Sequence, residues 1–322
     1  MLELNQMGRK PYKLIFSSAL LILIFVAFVV NFVIVLISET NSTTQKVTTE
    51  TTENTMKDNS DIAPDDILDD IATGEAETEP ILPDKIDLQP IVDKWASTTG
   101  GNRSVLIYDL DRDEYTAKYN EDEDYNTASL YKLFVVYEGY RRLENGTWQA
   151  NERVNYLGQT VLECLDLAIR ESNSTCAEPL WAKIGHAELD NIIKTDFGIS
   201  NSKISSLVSN PKDILAIMKI FYEHKELKNE DYIAKMKDSF LNQPVTAYNW
   251  RQGLPSGFSD KTKVYNKVGW SYNAAKGYWD IYHDAAIIET ESGRHFIVVV
   301  MTNRVSYTKI KDLGTELEKA LQ

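Results

Sequence analysis

The pattern of apolar and polar positions divides the chain into three parts. Residues 14–37 are almost all apolar, residues 38–84 are mostly polar, and residues 85–322 mix apolar and polar positions as folded domains do. Within the third part, strand-like alternation occurs towards both ends, and helical periodicity fills the region between them. The pattern therefore predicts a folded domain in which helices are inserted between two groups of strands.

The periodicity also predicts the individual elements. The strand-like segments are Ser104–Leu110, Tyr115–Tyr119, Val264–Ser271, Tyr282–Thr290 and Arg294–Met301. The helix-like segments are Leu88–Trp95, a segment that starts beside Ser129 and ends near Asn145, Thr160–Ile169, Ser174–Ile184, Ala187–Lys194, Pro211–His224, Glu230–Leu241 and Ile310–Leu321. Such an order is typical of α+β domains. We predict an α/β (α+β) domain at residues 85–322, with an antiparallel sheet from both termini flanked by helices and an all-helical subdomain at about 128–250.

The apolar residues 14–37 predict one transmembrane helix before this domain. As a helix, these 24 residues span about 36 Å, enough for a bilayer core of about 30 Å. Basic residues precede the segment and acidic residues follow it, which favours a cytoplasmic tail at residues 1–13 and an extracytoplasmic domain. A cleavable signal peptide is the alternative, but its apolar region would be shorter, and no small-residue cleavage site follows Ile37. We therefore expect a single-pass protein of the cell membrane.

Most of the negative charge lies in residues 38–84. The chain of 322 residues has a net charge of −14, and the stretch from Ser38 to Pro80 contains 12 acidic and 2 basic residues. A segment this rich in Thr, Ser and acidic residues buries too little apolar surface to fold, so we expect a disordered linker. The chain has no basic stripe of the kind that binds nucleic acid, and nucleic acid is therefore not an expected partner.

The cysteines and histidines suggest neither a disulfide framework nor a metal centre. Cys164 and Cys176 fall on successive predicted helices, and we interpret them as two buried thiols, with a bridge as the alternative. The four histidines, His186, His224, His283 and His295, are scattered, and none has a ligand partner at helical spacing. We interpret His283 and Asp284 as a structural pair at the start of a strand. No metal and no cofactor are expected.

The most informative short pattern is Ser129-Leu130-Tyr131-Lys132. A serine hydroxyl attacks a carbonyl only when a base takes its proton, and residues three apart on a helix share one face. Thr127 or Ala128 would lie at the helix start, so the positive end of the helix dipole would face the hydroxyl. The same spacing occurs in polar or Pro-containing stretches at Ser200, Ser209 and Ser306. The apolar helix behind it distinguishes Ser129 as the candidate nucleophile.

Two further motifs follow in order along the chain. Ser172-Asn173-Ser174 lies between two predicted helices, and Lys267-Val268-Gly269-Trp270 lies on a predicted strand. With Ser129 and Lys132, they resemble the Ser-x-x-Lys, Ser-Asp-Asn and Lys-Thr-Gly motifs of class A β-lactamases and the penicillin-binding protein superfamily. Residues 158–165 and 253–257 resemble the surroundings of those motifs. The resemblance covers roughly three quarters of the chain, from about Asp84 to the C-terminus.

The resemblance implies a serine hydrolase that forms an acyl-enzyme. Ser129 would attack the amide of a β-lactam or of a D-alanyl peptide of the bacterial cell wall, with Lys132 as its base. Ser172, held by Lys267, would pass a proton to the leaving nitrogen, and Lys267 would attract the substrate carboxylate. The backbone N–H groups of Ser129 and Trp270 would form the oxyanion hole. The implied substrate-binding residues are Ser174, Gly269 and Trp270, and the candidate arginines for the substrate carboxylate are Arg251, Arg294 and Arg304.

The second and third motifs depart from the family pattern. Asn173 replaces the usual aspartate, Ser174 replaces the usual asparagine, and Val268 removes a hydroxyl that normally helps to hold the substrate carboxylate. These changes leave an alternative open, in which the protein is a non-catalytic tethered module that binds a cell-wall peptide or a β-lactam.

A third departure concerns the release of the acyl group. Class A enzymes carry a glutamate on a long loop, where it activates the hydrolytic water. The corresponding residues 197–211 contain no Asp or Glu, and we interpret the flanking Asp196 and Asp213 as structural. We therefore expect acylation of Ser129 followed by slow deacylation.

Overall fold

The structure is a computed structural model that describes residues 82–246, 248–273, 275 and 278–322. The expected cytoplasmic tail, the expected membrane anchor at residues 14–37 and nearly all of the expected linker lie outside these residues. Among the helices that the structure does describe, none is long and apolar enough to cross a membrane.

An antiparallel sheet forms the frame of the domain. In chain order, the strands are β1 (Asn102–Asp109), β2 (Glu114–Tyr119), β3 (Tyr125–Asn126), β4 (Val208–Ser209), β5 (Lys263–Asn273), β6 (Tyr278–Glu289) and β7 (His295–Asn303). Five of them form one sheet in the order β2-β1-β7-β6-β5, and β3 pairs with β4 separately. N-terminal β1 lies beside C-terminal β7, with Val105 opposite Val300. The prediction of a sheet built from both ends of the domain is confirmed.

Eight α-helices occur among the described residues. They are α1 (Gln89–Thr98), α2 (Tyr131–Glu144), α3 (Val161–Arg170), α4 (Ser174–Ile184), α5 (His186–Thr195), α6 (Pro211–Glu223), α7 (Glu230–Leu241) and α8 (Tyr307–Leu321). The predicted segments match these helices with end points that differ by three residues or fewer. Helices α2 to α7 lie between the strands in sequence, as the periodicity predicted.

The core has two layers, one on each face of the sheet. Along β7, Ile297, Val299 and Met301 pack with the cluster formed by α2 to α7. The alternate residues Val298 and Val300 pack with the cluster formed by α1 and α8. Successive side chains of a strand point to opposite faces, so a continuously apolar strand is buried on both sides. The sheet is thus a rigid wall between the two layers.

Side-chain caps fix where the helices near the site begin. Thr160 accepts a hydrogen bond from the Glu163 N–H, and the Glu163 carboxylate accepts one from the Thr160 N–H at 2.7 Å, so α3 begins at Val161. The Asn173 side chain accepts from the Cys176 N–H at 3.1 Å, so α4 begins at Ser174. These caps satisfy backbone donors that have no partner within a helix. They place the turn at residues 171–173 between α3 and α4.

The interpretation of the cysteines as free thiols is wrong. Cys164 on α3 and Cys176 on α4 form a disulfide, with their Cα atoms 4.7 Å apart. Both side chains are fully buried. Sequence spacing alone does not distinguish two buried thiols from a bridge, because the distinction depends on how closely the two helices pack. The bridge ties together the two helices that flank Ser172.

Candidate active site

Two sets of hydrogen bonds, one from the same chain segment and one from the sheet, fix the turn that carries Ser129. Ser129 lies in a single 3₁₀ turn, Ala128–Leu130, that runs directly into α2. Ala128 has a left-handed backbone with φ of 42°, and its N–H donates to the Asn126 side-chain oxygen at 2.9 Å. The backbone oxygen of Asn126 accepts from His283 Nε2, on β6, at 2.8 Å. The nucleophile therefore lies on a turn fixed by its own chain and by the sheet.

Lys132 lies within a shell of oxygen atoms. Its Nζ is 3.1 Å from Ser129 Oγ and 3.1 Å from Ser174 Oγ. It also donates to the backbone oxygen of Ser172 at 2.5 Å. The side chain is 0% exposed. The Ser-x-x-Lys spacing thus brings the two groups into contact, as expected for residues three apart on a helix.

The unusual second motif has a structural explanation. Ser172 has a left-handed backbone with φ of 54°, which a tight turn between α3 and α4 requires. Asn173, in place of the family's aspartate, provides the cap of α4. The strained turn and the cap together direct the Ser172 carbonyl towards Lys132 and its hydroxyl towards Lys267. The motif thus places one oxygen of Ser172 beside each lysine.

Lys267, on β5, is the fourth candidate catalytic residue, and it contacts Ser172. Its Nζ donates to Ser172 Oγ at 2.8 Å and to the Val268 backbone oxygen at 2.6 Å. Two positions further on, a Cβ atom added to Gly269 would lie 2.7 Å from the Thr127 backbone oxygen. Only glycine lets β5 approach the nucleophile turn this closely. The structure therefore brings together all four candidate catalytic residues, with Ser174 and Gly269 beside them.

Burial changes the proton affinity of both lysines. Burial lowers the pKa of Lys132 to about 8, and the negative charge of Glu178 opposes that shift. Burial, with a smaller effect from the charge of Lys132, holds the pKa of Lys267 well below its usual range. The charged form of a lysine is disfavoured where water is excluded. A substantial fraction of Lys132 is thus neutral slightly above neutral pH and able to accept a proton.

His283 and Asp284 have structural contacts as interpreted, but they contact different partners and do not lie at the start of a strand. The two residues lie inside β6 rather than at its start, and successive side chains of a strand point to opposite faces. His283 Nδ1 accepts from the Thr302 N–H at 2.9 Å while Nε2–H holds Asn126, and burial lowers its pKa to about 4. The ring is therefore a neutral support for the nucleophile turn.

Asp284 lies on the face of the sheet opposite to His283, where it contacts Asn266 of β5. Its carboxylate is fully buried and accepts from the Asn266 side chain at 2.9 Å and from the Leu254 N–H at 2.8 Å. Burial raises the pKa of Asp284 to about 7, against the opposing effects of its hydrogen bonds and of nearby Arg251 and Lys267. Asp284 is thus part of the buried polar layer beneath Lys267.

Comparison with known proteins identifies the family of the chain. The sequence signature described as the beta-lactamase enzyme family matches residues 87–321. The chain belongs to the beta-lactamase enzyme family.

Several solved structures share the fold at low sequence identity. The TLA-3 extended-spectrum beta-lactamase matches at 16% identity, over 73% of this chain and 98% of that chain, with a TM-score of 0.63. A class A beta-lactamase from Bacteroides cellulosilyticus matches at 14% identity, over 74% and 98%, with a TM-score of 0.61. PBP-A matches at 16% identity, over 74% and 98%, with a TM-score of 0.62. No curated protein gives a significant match.

Two of the three arginines that were candidates for binding a substrate carboxylate form contacts within this β-lactamase family member. Arg251 donates to the Val264 backbone oxygen at 2.9 Å and to that of Phe240 at 3.2 Å. Arg294 donates to the Asp84 backbone oxygen at 2.9 Å and forms an ion pair with the Asp109 carboxylate. Of the three candidates, Arg304 is the exposed one.

Four aromatic side chains pack in a row that includes Trp270, and we call them the aromatic wall. The sequence did not predict this arrangement. Its members are Tyr248, Trp250, Trp270 and Tyr282. The ring centroids of Trp250 and Trp270 are 4.6 Å apart, those of Trp270 and Tyr282 are 4.9 Å apart, and those of Tyr248 and Trp250 are 5.1 Å apart. Tyr248 is 53% exposed. The sequence signal was the run of Tyr and Trp on either side of the third motif.

The two acids beside residues 197–211 have local structural contacts. Asp196 lies 3.2 Å from Arg141, and Asp213 accepts a hydrogen bond from the Asn201 N–H at 3.0 Å. Both contacts agree with their interpretation as structural residues. Neither acid contacts Ser129 or Lys132 in the described hydrogen bonds.

Proposed function

We propose that the protein is a membrane-anchored, extracytoplasmic serine hydrolase that transfers an acyl group to Ser129. Its substrate would be a β-lactam or a D-alanyl amide of a cell-wall peptide. The observation that carries the proposal is the 3.1 Å contact between Ser129 Oγ and the buried Nζ of Lys132. Membership of the beta-lactamase enzyme family supports the same chemistry.

In the proposed acylation step, neutral Lys132 takes the proton of Ser129 while Oγ attacks the amide carbonyl. The backbone N–H groups of Ser129 and Trp270 would stabilise the oxyanion, at about 3–4 kcal/mol for each donor. Ser172 Oγ lies 3.4 Å from Lys132 Nζ and 2.8 Å from Lys267 Nζ. It would give its proton to the departing nitrogen and receive one from Lys132, so Lys132 ends the step neutral.

Slow deacylation is part of the proposal. A water molecule that attacks the acyl-enzyme must lose a proton to a base. Residues 197–211 provide no carboxylate for this purpose. Lys132 would then have to serve both half-reactions, and release of the acyl group would limit turnover.

The membrane part of the proposal rests on residues 14–37 and on the charges beside them. Protease protection of intact cells tests it. A folded domain that is digested from outside supports the anchor, whereas a domain digested only after lysis contradicts it.

The central experiment is incubation of the full-length chain, in detergent, with a fluorescent penicillin, followed by intact mass measurement. We expect a stable adduct in the natural protein and none in Ser129→Ala. Ser306→Ala is the matched control, because Ser306 starts another Ser-x-x-Lys pattern but is exposed at the start of α8. An adduct on another residue would overturn the assignment of Ser129.

The second candidate is a non-catalytic tethered module that binds a cell-wall peptide or a β-lactam. The altered second and third motifs favour it, with Asn173, Ser174 and Val268 in place of the residues usual in the family. Binding of the ligand without adduct and without turnover of a chromogenic cephalosporin would support this alternative. Turnover without a lasting adduct would instead indicate efficient hydrolysis.

A further inference from the structure

Three serine side chains surround Lys132, and one of them is exposed to solvent. Ser129 Oγ and Ser174 Oγ each lie 3.1 Å from Lys132 Nζ, and Ser172 Oγ lies 3.4 Å from it. Lys132 is 0% exposed, and Ser129 and Ser172 are half-buried, whereas Ser174 is exposed. Of these three serines, Ser174 is therefore the one at which a water molecule can approach the buried base.

We propose that Ser174 binds the hydrolytic water and passes a proton from it to Lys132 during release of the acyl group. The proposal rests on the proposed function, because it concerns the second half-reaction of the Ser129 acyl-enzyme. It gives Ser174 a catalytic role in deacylation, beyond the substrate-binding role that the family resemblance implied.

The contacts of Lys132 place such a water beside the acyl group. Two oxygens that accept hydrogen bonds from one ammonium group lie about 5 Å apart, because its N–H bonds point in tetrahedral directions. One water molecule with hydrogen-bond distances of about 2.8 Å spans that separation. In the acyl-enzyme, the carbonyl carbon is bonded to Ser129 Oγ. A water held by Ser174 Oγ is thus close to the carbon that it attacks.

The step balances without a further reactant. The water oxygen bonds to the carbonyl carbon while its proton goes to Ser174 Oγ and the Ser174 hydroxyl proton goes to neutral Lys132. The bond between that carbon and Ser129 Oγ then breaks, and Ser129 Oγ takes the proton of the Lys132 ammonium. The products are a carboxylic acid and free Ser129, and Lys132 is neutral again.

The departure from the family pattern at Ser174 fits this task. A serine side chain has two fewer heavy atoms than the asparagine usual in the family, and the space released is close to that of one water molecule, about 30 Å³. A hydroxyl also accepts one proton while it gives another, which an amide nitrogen does not do.

The choice of base follows from the residues around the site. Residues 197–211 contain no carboxylate that could activate the water. Burial lowers the pKa of Lys132 to about 8, so that part of it is neutral and accepts a proton. Lys132 is therefore the base, and Ser174 is its contact with solvent.

The test compares acylation and deacylation of the full-length chain, in detergent, with a fluorescent penicillin as the probe. Ser174→Ala removes the hydroxyl, so release of the adduct should slow by about tenfold or more while its formation changes by less than about threefold. Ser174→Thr keeps a hydroxyl and should release the adduct at close to the natural rate. Thr175→Ala is the matched control, because it removes a hydroxyl from the next residue of α4, and it should leave both rates unchanged.

A second variant guards against misfolding of Ser174→Ala. Ser174→Asn restores the residue usual in the family and fills the released space, so it should slow release in the same way. Hydroxylamine is a stronger nucleophile than water and needs no base to attack an ester. It should therefore remove the adduct from both variants and from the natural protein at similar rates.

The outcomes separate the role in deacylation from a structural role. Release at the natural rate in a folded Ser174→Ala or Ser174→Asn variant would overturn the proposal. An equal loss of adduct formation and release would also overturn it, since Ser174 would then only hold Lys132 in place. So would slow removal by hydroxylamine in the variants alone, because it would indicate a changed site. Absence of any adduct in the natural protein would instead contradict the proposed function, and the inference with it.

Discussion

The two walls of the candidate site differ in how they contact water. The helical wall consists of Ser129 on the turn before α2, Lys132 on α2, Ser172 on the turn before α4 and Ser174 at the start of α4. It reaches the surface at Ser174, which is exposed. The sheet wall consists of Lys267, Gly269 and the residues beneath them, and it is closed. Lys267 is 1% exposed, and Asn266, His283 and Asp284 are 0% exposed.

This difference suggests a division of tasks between the two walls. A group that must gain and lose protons in each cycle needs contact with groups that reach water, and Lys132 donates to Ser174, which is exposed. A group that holds its neighbours in place benefits from a dry environment, in which electrostatic interactions are stronger. We infer that the helical wall performs proton transfer and that the sheet wall fixes positions and charge.

The largest expected effect comes from the two lysines. Lys132→Met should slow acylation of Ser129 by about 10²- to 10⁴-fold, because it removes the general base. Lys267→Met is the matched change on the sheet wall and should slow acylation less, since it removes a positioning charge. Time-resolved intact mass measurement with a penicillin compares the two. A smaller loss in Lys132→Met than in Lys267→Met would reverse the division of tasks.

The second prediction concerns Asp284 and the pH dependence of stability. Because burial raises the pKa of Asp284 to about 7 in the folded protein, the folded state binds its proton more tightly than the unfolded state does. This contribution is fully present below about pH 4 and is lost as the pH rises through 7, by at most about 4 kcal/mol. Urea unfolding at several pH values, compared with Asp284→Asn, should show this slope in the natural protein only. An equal pH dependence of the unfolding free energy in the natural protein and in Asp284→Asn would show that Asp284 does not cause it.

The third prediction concerns the bridge within the helical wall. Replacing both Cys164 and Cys176 by Ala should lower the free energy of unfolding by about 3 kcal/mol, because the bridge closes a short loop in the unfolded chain. Thermal unfolding with and without reductant measures it. Equal stability of the natural protein under both conditions, together with two free thiols by mass, would show that the bridge does not form.

The smallest expected effect tests the departure at Asn173. Asn173→Ala removes the cap of α4 and should cost about 1 kcal/mol in the free energy of unfolding. Asn173→Asp restores the residue usual in the family, keeps the cap and adds a negative charge at a helix start, so it should be neutral or stabilising by about 0.5 kcal/mol. Denaturant unfolding compares the two variants. Destabilisation by Asp as large as that by Ala would show that Asn173 does more than cap the helix.

Much of the fold follows from local patterns in the sequence. Helices α4 and α7 match their predicted end points because Asn173 and Asn229 cap them beside clear helical periodicity. The two-residue strands β3 and β4 were missed because two residues carry no periodic signal. The Ser129–Lys132 contact was predictable because it lies within one helical turn.

The parts that were missed depend on tertiary contacts. Whether Cys164 and Cys176 bond depends on the packing of α3 against α4, and the separate orientations of His283 and Asp284 depend on the exact register of β6. The aromatic wall joins Tyr248 and Trp250 to a strand that begins more than ten residues later.

The most direct test of the account is the pH dependence of acylation of Ser129 by a penicillin. Since burial lowers the pKa of Lys132 to about 8, the acylation rate should rise with pH and level off above a midpoint near 8. Loss of that midpoint in Lys132→Met would assign the midpoint to Lys132. A rate independent of pH, or a midpoint near the ordinary lysine pKa of 10.5, would contradict the claim that buried Lys132 is the base that activates Ser129.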